Sequence, residues 1–334
     1  MPEAIINEKA RPPRLIPSLV EGFNVIAGRS YILLFPIGID LLFWFGPLVR
    51  VRELLMPLLE NIARISAPNL GAENQILLDS SIEIWEFTFE RLNLLFSLRT
   101  FPVGVPSLLI NLGSLENPLG KPIFIEMLSF QNILGIAFLL VLAGIFFGTI
   151  YYEMITCAVI RHTQVVRTSN LSLKLLQTAI LTGMIFLAGI IFGAPFLCLI
   201  STIAFLLPSL GSLPFLIGGS LLVWLLLPLV FSAHGIFYGE LKATQSIIMS
   251  LRIVRKIMSP VGIFMILIIL LGFGLDSLWA TPPTNSWMLL IGIFGHGFIS
   301  SGLLAATFVF YREGFNWFSE ITRNKENKAQ SLPS

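Results

Sequence analysis

Two ionisable residues, Asp40 and His296, stand in stretches otherwise apolar enough to cross a membrane. A carboxylate and an imidazole at that depth are the groups from which a proton or substrate path is built. Counting from Tyr31, at one edge of the bilayer, puts Asp40 ~13 Å deep at ~1.5 Å per residue. Counting from Trp287, at the opposite edge, puts His296 ~13 Å deep by the same rise. In a hydrocarbon core of ~30 Å the two heights differ by only a few ångströms, so Asp40 and His296 form a candidate intramembrane polar pair. The simpler reading, which we favour, is structural: a buried hydrogen-bonded pair, or two residues bonded separately to Ser, Thr or backbone. Gln177 and Thr178 add the other hints of a polar path, while His234 and Asp276 fall near span ends, where water is close.

Other chemistry-bearing residues are sparse. Asp79, Glu83, Glu86 and Glu90 share one stripe of an expected helix; four carboxylates on one helix fix no metal geometry, and a solvated face is the favoured reading. The three histidines, His162, His234 and His296, are widely spread, and the two cysteines, Cys157 and Cys198, make no disulfide framework. There is no phosphate-binding loop, zinc helix, C-x-x-C pair or nucleophile elbow, so the sequence assigns no catalytic residue, cofactor or metal. Glycines at G-x-x-x-G spacing (Gly144/Gly148, Gly189/Gly193, Gly235/Gly239) read as small residues that let helices approach closely.

The elements that must position these residues are membrane helices. Of the 334 residues, 55% are hydrophobic and 12% charged, about half the charge of a soluble domain, and the mean hydropathy is +0.85. The expected fold is all-α, a polytopic bundle of six spans at 31–49, 133–152, 175–200, 215–238, 261–279 and 287–311. A cytoplasmic arm with an amphipathic helix (1–30) precedes the membrane domain (31–311), and a tail (312–334) follows it. Residues 50–132 form an extracytoplasmic insertion, with helices expected at 52–65 and 76–98 and irregular chain at 101–122.

Charge sets the orientation. Fifteen of the 21 basic residues fall in the N-terminal arm, residues 153–174, residues 239–259 and the tail, while 201–214 and 280–286 carry no charge. The positive-inside bias therefore places both termini in the cytoplasm. A net charge of +2 gives no basis for a nucleic-acid partner; membrane lipids and a membrane-protein partner remain. Before the fifth span, Ile247, Leu251, Val254 and Met258 form an apolar stripe, Arg252, Arg255 and Lys256 cluster to one side, and Pro260 marks the bend. The three basic residues are candidate contacts for anionic lipid, in competition with pairing to glutamates at the same level.

Those glutamates belong to a repeat. Tyr151-x-Glu153, Tyr238-x-Glu240 and Tyr311-x-Glu313 recur where each even-numbered span reaches the cytoplasm. We read three copies of one unit, a surface helix followed by a transmembrane hairpin, with surface helices at 15–30, around 163–174 and 243–259. The run Ser250-Leu251-Arg252-Ile253-Val254-Arg255-Lys256 into Val261, closed by Phe310-Tyr311-Arg312-Glu313-Gly314, resembles the six-span membrane domain fused to some bacterial glycerophosphodiester phosphodiesterases and related envelope proteins. The resemblance is best over 240–314. The soluble catalytic domain of those enzymes has no counterpart here, so the resemblance implies no catalytic residue, and the run Leu98 to Ser107 departs from the pattern.

Three functional classes follow: a non-catalytic envelope or scaffold protein contacting lipid or partner proteins, a small permease with a polar path near Asp40 and His296, and an integral-membrane lipid-modifying enzyme. The first requires no motif and leads. Reporter fusions after Ser80 and Asn285 are expected outside, and those after Arg167, Ala243 and Glu326 inside. An inside signal at residue 80 contradicts the six-span reading.

Overall fold

A backbone crossing hydrocarbon has no water to bond, so apolar runs of span length close their hydrogen bonds within themselves as helices. The computed structural model describes residues 12–66, 72–113, 116–161 and 170–330. Its long elements are helical: α1 (Leu15–Ala27), α2 (Leu34–Phe45), α3 (Arg52–Ser66), α4 (Ala72–Arg91), α5 (Phe130–Arg161), α6 (Leu171–Ala188), α7 (Ala194–Leu206), α8 (Leu213–Leu226), α9 (Ser232–Phe237), α10 (Ala243–Lys256), α11 (Met258–Trp279) and α12 (Leu289–Gln330). Two three-residue strands, β1 (Leu48–Arg50) and β2 (Phe124–Glu126), pair in parallel. Among the described residues, five helices or helix runs are long and apolar enough to span a membrane, or six if the bent pair Leu15–Ala27 and Ser30–Phe45 is one span. The protein is therefore an all-α, multi-pass membrane bundle.

The chain forms two compact units, and α5, α11 and α12 contribute to both. One comprises residues 1–30, 152–272 and 301–334. In it α1 packs on α12, and a Cβ at Gly22 would fall 2.4 Å from the Ala306 backbone nitrogen. Glu21 and Arg312 form a two-pronged ion pair at 2.9 Å across this contact, and Tyr152, Phe231, Phe237, Phe264, Phe308, Phe310 and Tyr311 make its aromatic core.

The other unit comprises residues 31–151 and 273–300. Its core gathers Ile37, Phe43, Trp44, Leu98, Leu108, Leu109, Leu289 and Ile293. Leu98, Leu108 and Leu109 belong to the insertion and pack here against residues of α2 and α12. The Leu98 carbonyl lies 2.3 Å from where a Cβ on Gly144 would be, and the Val103 carbonyl 2.9 Å from one on Gly148. Both glycines sit inside the apolar run of α5, so the chain from Leu98 to Gly104 lies against that run. The Gly144/Gly148 pair admits irregular backbone rather than a second helix. A side chain on either glycine would collide with a carbonyl that has nowhere to go.

Several boundaries shift for identifiable reasons. The α2 helix stops at Phe45 instead of continuing to residue 49, because Gly46 turns extended and Leu48–Arg50 joins β2. The expected 76–98 helix ends at Arg91, where Asn93 accepts from the Leu95 N–H and starts a 3-10 turn over Leu94–Leu98. The bend before the fifth span lies at Ile257 (φ −128°, ψ 39°), not at Pro260, which is accommodated in the first turn of α11. The surface helix expected around 163–174 lies mostly outside the described residues, and Leu171 to Lys174 form the first turn of α6.

Gly144→Val should press on the Leu98 carbonyl and destabilise the protein in detergent by about 1–3 kcal/mol, as overpacking does. Gly183→Ala, where a Cβ meets nothing within 4 Å, should leave the unfolding midpoint nearly unchanged.

Candidate functional site

Asp40 is fully buried in α2, and its carboxylate is occupied. Oδ1 accepts from Ser107 Oγ at 2.6 Å and from the Leu109 N–H at 3.2 Å, and Oδ2 accepts from the Leu108 N–H at 3.2 Å. Ser107 Oγ in turn accepts from the Ile110 N–H at 3.3 Å. The two side chains thus cap the short 3-10 turn Leu109–Asn111, whose first N–H groups have no partner within the turn. This is the work of a structural anchor: a helix-borne carboxylate ties re-entrant backbone into the span.

His296 on α12 bonds elsewhere. Its Nδ1 lies 2.7 Å from Asp276 Oδ1 on α11, and its Nε2 is buried with no protein partner among the described residues. No hydrogen bond or ion pair joins Asp40 and His296, although His296 lies near enough to act electrostatically on the Asp40 carboxylate, and Asp40 is bonded to serine and backbone. Asp276, set aside as a span-end residue, is the carboxylate that His296 contacts. Gln177 accepts from the Ala243 N–H at 2.9 Å, while Thr178 is buried with its hydroxyl unpartnered.

The Tyr-x-Glu motifs diverge in use. Tyr151 and Tyr311 are fully buried, whereas Tyr238 is half-buried and donates to Asn316 Oδ1 at 3.3 Å. Glu153 holds the buried Lys174 ammonium at 2.6 Å and accepts from Cys157 Sγ at 3.3 Å. Glu313 accepts from the Arg14 N–H at 3.2 Å. Glu240 sits at φ 52°, in the left-handed region, where the chain turns from α9 into α10. In the insertion, Glu86 pairs with Arg52 and raises that guanidinium further above its ordinary value, while Asp79 and Glu83 face outward. Glu90 lies 4.0 Å from Arg91. Among the described residues no three His, Cys, Asp or Glu side chains are placed to hold a metal ion. His162 lies outside them.

The buried face of α10 is Ala243, Ser246, Ser250, Ile253 and Val254, displaced by about one position from the expected stripe. It covers a break in the fourth span. Pro228 has no N–H and cannot continue the α-helical ladder, so α8 passes through a 3-10 turn at Leu227–Leu229 before α9 resumes. Ser250 Oγ donates to the Pro228 carbonyl at 2.7 Å and accepts from the Phe231 N–H at 3.1 Å, and Ser246 Oγ donates to the Ser232 carbonyl. Arg252, Arg255 and Lys256 project from the exposed side of the helix. No carboxylate among the described residues pairs with any of the three. The serines and Ser107 were not singled out in sequence, because a serine bonding to distant backbone leaves no spacing signature.

Searches of protein-family models, curated proteins and solved structures return no match to this chain.

Asp40→Ala would strand two buried N–H groups and one hydroxyl. A loss of about 3–5 kcal/mol in unfolding stability is expected, the range for removing one side of a buried charged network. Asp40→Asn keeps an acceptor and should recover about half of it.

Proposed function

We propose that this protein is a non-catalytic scaffold of a bacterial plasma membrane, with both termini cytoplasmic and its inner face held against anionic lipid by α10. The observation that carries this reading is the set of three exposed basic side chains, Arg252, Arg255 and Lys256, on a helix whose opposite face is fixed by Ser246 and Ser250. Of the carboxylates that would compete for them, Glu153 is engaged by Lys174 and Glu313 by the Arg14 backbone. Each basic group near a negatively charged leaflet contributes about 1 kcal/mol, decaying over a Debye length of ~8 Å. Ile247, Ile248 and Leu251 lie on a partly exposed flank of the same helix, where they would enter the acyl boundary. The resemblance of 240–314 to the phosphodiesterase-fused membrane domain accords with a role at lipid headgroups.

A permease reading gains little support, because Asp40 and His296 serve separate partners. A lipid-modifying enzyme would need acid, base and nucleophile together, and what the described residues offer is the Asp276–His296 pair with Asp40 near it, Asp40 being bonded to Ser107 and backbone.

Replacing Arg252, Arg255 and Lys256 together with Gln should lower stability by about 3 kcal/mol in vesicles containing phosphatidylglycerol and leave it unchanged in phosphatidylcholine. An equal loss in both lipids would contradict the lipid contact.

A further inference from the structure

The re-entrant segment carries a charge that the fold does not neutralise. Arg99 follows Leu98, whose carbonyl packs on Gly144, and precedes Thr100, whose γ-methyl meets the same glycine. Gly144 is eleven residues past Ile133, ~16 Å along α5 at ~1.5 Å per residue, and eight residues short of Tyr152, ~12 Å from the other edge. Arg99 is therefore rooted near the middle of the span. Its backbone N–H bonds to Phe96 O, but the residue is exposed and its guanidinium meets no acceptor among the described residues. The deep carboxylate in the same unit, Asp40, is taken by Ser107, Leu108 and Leu109.

A guanidinium at that depth is about 2.5–3.5 kcal/mol unfavourable on insertion scales and persists where it meets water or a counter-charge. Irregular backbone at span depth is likewise tolerated only when buried in protein or bordering a polar recess. Acyl chains satisfy neither condition. A guanidinium presents N–H donors in a planar fork that matches two oxygens of a phosphate-class oxyanion. Beside it Phe101 is 72% exposed, an apolar surface suited to the hydrocarbon that accompanies a lipid headgroup.

We propose that Arg99, presented at mid-span by the re-entrant turn, binds a phosphate-class oxyanion entering from the side of the membrane on which the insertion lies. The oxyanion has two possible sources, a lipid headgroup or free phosphate. The site is independent of α10 and goes beyond the scaffold reading.

The test uses the full chain in detergent with Arg252, Arg255 and Lys256 already replaced by Gln, so that the inner basic helix contributes nothing to the result. Apparent affinity is read from the rise of the unfolding midpoint with probe concentration, for phosphatidylglycerol in mixed micelles and for inorganic phosphate. A rise with phosphatidylglycerol alone identifies a headgroup, and a rise with phosphate identifies a free oxyanion. In either case Arg99→Gln should weaken binding about tenfold, the factor associated with one charge-assisted hydrogen bond. Arg99→Lys, which keeps the charge but not the fork, should fall between. Equal affinity in Arg99→Gln overturns the proposal. So does the absence of any rise with either probe in the chain that retains Arg99, whether or not the variants fold.

Discussion

Within the thickness of a membrane every backbone N–H and C=O needs a partner supplied by the protein, and this requirement governs how the chain uses its few polar side chains. Helices meet it for most of the sequence. Where helix fails, a polar residue on a neighbouring element takes over. Asp40 and Ser107 do so for the turn at Leu109–Asn111, and Ser246 and Ser250 do so for the break around Pro228. Asp40, the deepest carboxylate expected from the sequence, is therefore committed to holding irregular backbone in place. The Asp276–His296 contact stands apart from this pattern, joining two side chains rather than side chain to backbone.

How much of this was legible follows from the range of each interaction. Spans are local properties of hydropathy, and the apolar runs that become α5, α6 with α7, α8 with α9, α11 and α12 were all read with the right identity. Their ends were less readable, because they are fixed by individual bonds. Asn93 ends the insertion's second helix by capping a new turn, and β1 shortens α2 by pairing with β2 some 75 residues downstream. Periodicity found the amphipathic character of α10. It misplaced the buried face by one position, since the small residues Ala243, Ser246 and Ser250 score weakly as apolar yet permit the closest approach. At Gly235 that approach is so close that a Cβ would lie 2.1 Å from Ser246 Oγ.

The Asp40 and His296 reading shows the same limit from another side. Counting residues gives one coordinate, whereas hydrogen-bond partners depend on rotation about each helix and on which segment of the insertion packs beside it, here Ser107 to Leu109 for Asp40. The insertion was read as exterior because prolines, glycines and charges normally mark surface chain. Gly144 and Gly148 leave room on α5 for its stretch from Leu98 to Gly104. The Tyr-x-Glu repeat was visible because it is a sequence pattern. Its three glutamates nonetheless meet different surroundings, a buried lysine, a left-handed turn and a backbone N–H, so recurrence in sequence did not carry over to a shared role.

The most direct test of the account is amide hydrogen exchange on the intact protein in lipid nanodiscs. Peptides covering residues 94–111 should exchange slowly, on the scale of the α5 span, because their backbone is anchored at span depth by Asp40 and Ser107. Exchange over 94–111 as fast as that of α4 would place the segment in water and contradict the re-entrant architecture.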